Sequence, residues 1–150
     1  MATGLQTKPN DEAEIRGLMD IWAQALHAKD VDGIMTVYAA DVRAFDLAPP
    51  LQHVGAATHR RNFQEWFRTF RGPIGSDLRD FNVTSSGDVA LCHGFNRISG
   101  TKTSGEETSV WVRVTLGLRR ENGAWKVMHE HVSVPFYMDG SVKAAVDLAP

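Results

Sequence analysis

Apolar residues recur with helical spacing along the first thirty positions. Ile15, Leu18, Met19, Trp22 and Leu26 fall at i, i+3, i+4, i+7 and i+11, which predicts a helix over Asp11 to Ala28. Asn10 or Asp11 supplies a side chain able to cap its first turn. A short second helix is predicted after Asp30, with Val31, Ile34, Met35 and Tyr38 as its apolar stripe. Val42 to Asp46 reads as a strand, and Ala48-Pro49-Pro50 interrupts regular structure after it. A third helix is predicted from Ala56 to Phe70. Phe63, Trp66, Phe67 and Phe70 make one of its faces aromatic, and Gly72-Pro73 ends it.

The pattern then changes from helical to extended. Leu78 to Thr84, Val89 to Ile98, Thr108 to Arg120 and Trp125 to Phe136 read as four strands. Ser86-Gly87-Asp88, Ser104-Gly105 and Asn122-Gly123 separate them, and Asn-Gly between two apolar runs is the strongest of these hairpin signals. Helices followed by a meander predict an α+β chain with the helices layered on one sheet. Residues 1–10 and 137–150 read as tails around a core of 11–136, in a single domain spanning 1–150.

The last hairpin sets a register. A two-residue turn at Asn122-Gly123 places Leu118 opposite Val127, Leu116 opposite His129 and Thr115 opposite Glu130. Arg113 then becomes a diagonal neighbour of Glu130. One face carries Val112, Val114, Leu116, Val127, His129 and His131; the other carries Trp111, Arg113, Thr115, Met128, Glu130 and Val132. Both faces hold apolar residues. One packs on the helices, and the other is expected to meet a second subunit, since so large an apolar patch is unusual on a monomer. A one-residue bulge would reshuffle the partners across the pair.

Composition narrows the function. The chain has 150 residues, of which 43% are hydrophobic and 23% charged, enough for a core without a disulfide or metal and too apolar for disorder. Sixteen basic and 18 acidic residues leave a net charge of −2, so no basic field exists to hold nucleic acid or an anionic membrane. Arg60-Arg61 and Arg119-Arg120 read as solvated pairs. No apolar run suits a membrane helix and MATGLQTKPN lacks the apolar region of a leader, so a cytoplasmic protein is expected. Cys92, the single cysteine, reads as a small core residue. A small neutral or amphipathic ligand is the default partner, and a small hydrophobic one is expected. No glycine-rich phosphate loop calls for an organic cofactor. His129 and His131, with His93 nearby, lack a further ligand for a metal. His53 and His59 read as surface residues. Asp46 sits before the Pro-Pro loop at a pocket rim, where a carboxylate among apolar groups suits proton transfer.

Two motifs carry a resemblance. Tyr38-Ala39-Ala40-Asp41 through Asp46 spells Y-A-x-D-x-x-x-x-D between a helix bearing Trp22 and an aromatic helix, and Gly123 to Ser133 spells G-x-W-x-V-x-H-x-H-x-S. With these, nearly the whole chain resembles the ketosteroid-isomerase-like, SnoaL-like branch of the nuclear-transport-factor-2-like superfamily. The resemblance implies a cone-shaped cystatin-like fold, in which three N-terminal helices close a pocket wrapped by a curved antiparallel sheet. It implies an isomerase, cyclase or hydrolase, with a non-catalytic binding or dimeric association module as the alternative. Asp46, eight residues after Tyr38, matches the base of ketosteroid isomerases, which moves a proton next to a carbonyl while a tyrosine and a protonated aspartate hold the oxyanion. Trp22 stands at that tyrosine's position and offers one indole N–H and no acidic hydroxyl. The second acid falls near Thr115. Glu130 matches an aspartate that works beside an arginine in epoxide hydrolases of this fold, with Arg113 as the arginine. The catalytic set implied is Asp46, Arg113 and Glu130. Trp22, Tyr38, Trp66, Asn96, Trp111, Thr115, Met128 and Val132 would surround the ligand. The face with Val112, Val114, Leu116 and Val127 would point outward into a homodimer.

Overall fold

The apolar stripe of the first segment becomes helix α1, Pro9–Ala28, in a computed structural model that describes residues 7–150. The helix starts earlier than the pattern predicts because Pro9, with its fixed φ, occupies the first turn. Neither Asn10 nor Asp11 caps it; the cap is Lys8 and no side chain bonds there. Asp11 is instead buried, accepting from Arg120 Nη2 at 2.5 Å and Ser85 Oγ at 3.1 Å. Helix α2, Val31–Met35, is capped by Asp30, whose carboxylate accepts from the Gly33 amide at 3.0 Å. Tyr38, predicted in that helix, opens strand β1, Tyr38–Phe45. A two-residue strand β2, His53–Val54, precedes α3, Ala56–Phe67. Four long strands follow: β3 Phe70–Ser86, β4 Val89–Lys102, β5 Glu107–Glu121 and β6 Ala124–Ser133.

The sheet order is β2-β1-β6-β5-β4-β3. All neighbours are antiparallel except β1 and β6, which run parallel. The sheet is therefore mixed, not purely antiparallel. A helix and three long strands separate β1 from β6, so no tight hairpin dictates their sense. The trough of the sheet comes from bends in β3. Its register with β4 shifts between Arg71 and Ile74 and again between Arg79 and Asn82, where Asp80 has φ 52°. The second bend presses on Gly94, where a Cβ would lie 2.9 Å from Phe81 Cα and 3.1 Å from two backbone oxygens. Only glycine admits that approach.

The final hairpin starts in the predicted register, with Glu121 opposite Ala124 and Leu118 opposite Val127. Beyond that point the register slips by one. Gly117 faces His129, Leu116 faces Glu130, and Val114 faces Val132, leaving Met128 as the extra residue. Side chains alternate with period two, so the bulge exchanges the faces of everything after it. Glu130 and Val132 join the face of Val112, Val114 and Leu116; His129 and His131 join Arg113 and Thr115. This corrects the predicted pairing of faces. It also corrects the interface assignment: Val112, Leu116 and Val127 are buried and Val114 half-buried beneath the helices.

The core joins Ile15 and Leu26 of α1, Ile34 of α2, Val42 of β1, Phe63 and Phe67 of α3, and Leu118 and Val127 of the last hairpin. Cys92 is buried in it as predicted, and burial pushes its thiol pKa up to about 12. Arg120 is not a solvated side chain: it bonds Asp11 and Glu14 and stacks 4.5 Å over the Trp125 ring. Residues 137–150 are not a loose tail. They return over the sheet, with Ala144 bridged to Phe136, the Ala145 amide bonded to Pro135 O at 2.8 Å and Ala145 buried. Among the described residues, no helix is long and apolar enough to cross a membrane.

These contacts set a paired expectation. Gly94→Ala lowers stability by about 1–3 kcal/mol, because backbone must move to admit the methyl. Gly17→Ala, in the interior of α1 with nothing within 4 Å, raises stability by about 0.5–1 kcal/mol through helix propensity. Urea unfolding of both variants reads the two signs.

Candidate active site

The inner face of the sheet and the helices enclose a cavity of about 700 Å³. Val110, Val112, Val114 and Leu116 of β5 and Val132 of β6 form its floor. Met19 and Trp22 of α1 and Phe63 and Trp66 of α3 form its roof. Leu47, Pro49, Phe136 and Val146 lie at its edge. A mostly apolar hollow with a few convergent polar groups is the usual form of a small-molecule site.

One buried polar group is Glu130, placed over the cavity by the bulge. Tyr38, at the start of β1, donates its hydroxyl to both Glu130 oxygens at 3.2 Å. Trp22 Nε1 donates to the Tyr38 oxygen at 2.9 Å. His59, in the first turn of α3, holds Nε2 3.1 Å from Glu130 Oε2. Tyr38, His59 and Glu130 are all buried, where an unbonded charge would be costly. The Tyr38 and His59 rings meet edge to face at 4.7 Å. Burial, and then the neighbouring Glu130 charge, raises the Tyr38 pKa well above its ordinary value, so this hydroxyl keeps its proton. His59 Nδ1 and His53 Nε2 are buried without a protein partner, and the two rings lie 6.2 Å apart.

Asp46 forms a second polar group on the same cavity. It follows the last residue of β1 and is half-buried. Asp46 follows the buried Ala44 by two residues, so it falls on the same side of the strand, and both Tyr38 and Asp46 line the cavity. Asp46 Oδ2 accepts from Asn62 Nδ2 at 2.7 Å and Oδ1 accepts from the Leu47 amide at 2.7 Å. Ala44 pairs with Glu130, which puts the Cα atoms of Asp46 and Glu130 ~8 Å apart, one strand over and two residues along. Asp46 is thus held by neutral donors near the rim, and Glu130 by a phenol and an imidazole inside.

Seven of the residues singled out from the sequence reach this cavity: Trp22, Tyr38, Asp46, Trp66, Asn96, Glu130 and Val132. Asn96 is partly committed, since its Oδ1 accepts from Ser76 Oγ at 2.8 Å and the Asp77 amide at 3.1 Å. Four do not reach it. Arg113 lies exposed on the outer face and donates Nε to Ser133 Oγ at 3.0 Å. Trp111 sits on that face between Arg79 at 4.7 Å and Arg97 at 5.6 Å. Thr115 is exposed opposite His131, and Met128 is the bulged residue. The predicted contact between Arg113 and Glu130 is therefore corrected, and the bulge is the reason. His53 and His59 are buried, contrary to their surface assignment. A signal for His59 was present: His59, Phe63 and Trp66 stand at i, i+4 and i+7, the aromatic face of α3. His129 bonds outward, Nδ1 to Arg43 O at 2.8 Å. Among the described residues, no cluster of three His, Cys, Asp or Glu could hold a metal.

A sheet trough closed by helices over an apolar cavity with buried acid–base groups defines the cone-shaped, cystatin-like pocket fold. The SnoaL-like domain family matches residues 15–137, and the chain belongs to that family. A nuclear-transport-factor-2-like protein of unknown function from Pseudomonas putida KT2440 is 36% identical, with a TM-score of 0.87 over 97% of this chain and 100% of that one. A ketosteroid isomerase-like protein from Erwinia carotovora atroseptica is 18% identical, with a TM-score of 0.72 over 84% of this chain and 97% of that one. A protein with a cystatin-like fold from Nostoc punctiforme is 16% identical, with a TM-score of 0.74 over 89% and 98%. The last two likenesses concern the fold alone. Among curated proteins, none matches the chain.

The raised Tyr38 pKa has a consequence for stability. Above about pH 10 an unfolded tyrosine loses its proton while folded Tyr38 keeps it, so the folded state binds more protons and stability falls as pH rises. The contribution is complete below that pH and is lost as pH climbs through the folded value. Tyr38→Phe removes this part of the slope, which urea unfolding at roughly pH 8 to 11 measures.

Proposed function

We propose that this chain is a cofactor-independent enzyme that moves protons on a small hydrophobic substrate, as an isomerase or cyclase does. The reading rests on one observation: two of the carboxylates on a single apolar cavity, Asp46 and Glu130, have different partners. Asp46, held by the Asn62 amide and the Leu47 N–H, keeps lone pairs open to the cavity and serves as general base. Tyr38, whose hydroxyl keeps its proton, forms with His59 and Glu130 the proton-donating side. Different surroundings for two titratable groups are what separate acid from base. In an isomerisation a C–H bond adjacent to a carbonyl breaks, Asp46 takes the proton, the electron pair moves onto the oxygen, and a proton then returns to another carbon. Aromatic and valine walls exclude water from the intermediate. The outward position of Arg113 removes the arginine a hydrolase of this fold would set beside its acid, and so favours isomerase or cyclase.

One observation favours a non-catalytic ligand-binding module instead. Trp22 N–H, at the position of an oxyanion donor, is already spent on Tyr38. Deuterium uptake distinguishes the two. Cyclic enones and β-hydroxy ketones are incubated with the protein in heavy water, and exchange at the carbon beside the carbonyl is followed by NMR. The enzyme accelerates exchange, and Asp46→Asn loses roughly 10²–10⁴ of the rate. Ligands that bind yet exchange no faster with the protein than without it would establish the binding module.

A further inference from the structure

The cavity has a second polar end that the proton-transfer site does not use. Lys102, the last residue of β4, lines it, and among the described residues is the one lysine or arginine of the lining. Its Nζ sits 3.8 Å from the centre of the buried Phe70 ring and donates to Thr69 Oγ1 at 3.3 Å. The Trp66 ring stands edge-on to Phe70 at 5.7 Å, and Thr108 lines the same end from β5. Arg16, Arg60, Arg97, Arg119 and Arg120 each pair with a carboxylate. Lys102 pairs with none among the described residues, although Glu65 lies exposed along the same lining. A half-buried ammonium on an aromatic ring is attracted to the ring and still has donors to give.

Sheet order and register together separate the two ends. From β1, which leads to Asp46, to β4, which carries Lys102, are three strand steps, and Lys102 stands nine residues beyond His93, the β4 residue level with Phe45. Val112, Val114 and Ile98 lie between and offer no hydrogen bond. A molecule reaching both ends has an apolar body and one anionic group. Its orientation is settled by charge: Asp46 and Glu130 repel an anion, and Lys102 attracts one.

We propose that the ligand is a hydrophobic carboxylic acid, bound with its carboxylate on Lys102 and its apolar body across the valine floor toward Asp46. The substrate class thereby rests on the proton-transfer reading; the binding mode does not.

The probes are 2-naphthoate and its methyl ester, titrated into the full chain by calorimetry. The wild type binds the acid at least about tenfold more tightly than the ester, the size of one charge-assisted contact. Lys102→Gln removes that preference by weakening the acid while ester affinity stays unchanged, which also reports an intact cavity. Lys102→Arg retains the preference. Equal binding of acid and ester to the wild type, a preference that survives Lys102→Gln, or binding of neither probe would overturn the proposal. Lys102-dependent acid binding with no deuterium exchange on any cavity ligand would support it and sink the proton-transfer reading alone.

Discussion

One extra residue in β6 decides which groups meet inside this protein. With strict alternation Glu130 would stand opposite Thr115 on the outer face. The bulge at Met128 puts it opposite Leu116, over the cavity. The parallel neighbour deforms along the same stretch, since β1 shifts its pairing with β6 between Tyr38 and Arg43. Tyr38 and Glu130 are thereby brought to one side of the sheet, two strands deforming where the buried carboxylate needs a donor.

A carboxylate so placed imposes conditions on its surroundings. Burying it costs several kcal/mol unless its lone pairs are bonded, and an apolar side chain of similar volume would pack there without that cost. The structure meets the condition from three elements: Trp22 of α1 through Tyr38 of β1, and His59 of α3. The helical layer is tied to the sheet by polar contacts as well as by packing. Asp46 is treated differently, with two neutral donors and partial exposure. Lys102, at the other end, is held by a ring and a hydroxyl and not by a counter-charge. Asp46, Glu130 and Lys102 therefore face one apolar volume from distinct environments, in a chain whose net charge is only −2.

The return of residues 137–150 belongs to the same design. Phe136, Ala144 and Val146 line the cavity from outside the sheet proper. Short polar contacts hold the segment: Tyr137 hydroxyl to both Asp147 oxygens at 2.7 and 2.8 Å, and Ser141 to Asp139. The Asp147 carboxylate, hydrogen-bonded to Tyr137, raises that tyrosine's pKa, as burial and then the Glu130 charge do for Tyr38 in the interior. These are local turns with no periodic apolar stripe, so pattern alone marks them as a tail.

Much of the architecture was legible in the chain. The 3.6-residue stripe of α1, the aromatic face of α3 and the Asn122-Gly123 turn follow from local geometry, which each residue carries with it. The identity of the cavity's aromatic roof follows too. The sequence by itself could not decide the side on which Glu130 and Arg113 fall, because a bulge leaves alternation intact on both sides of itself while reversing its meaning. His59 was misplaced for a related reason: a histidine is at home in water or in a bonded interior, and its partner lies 71 residues away. Local periodicity is settled by neighbours a few residues apart. Register at a bulge, and the pairing of buried polar groups, is settled by what the opposite strand and the covering helix present, and that exists only once the chain has folded.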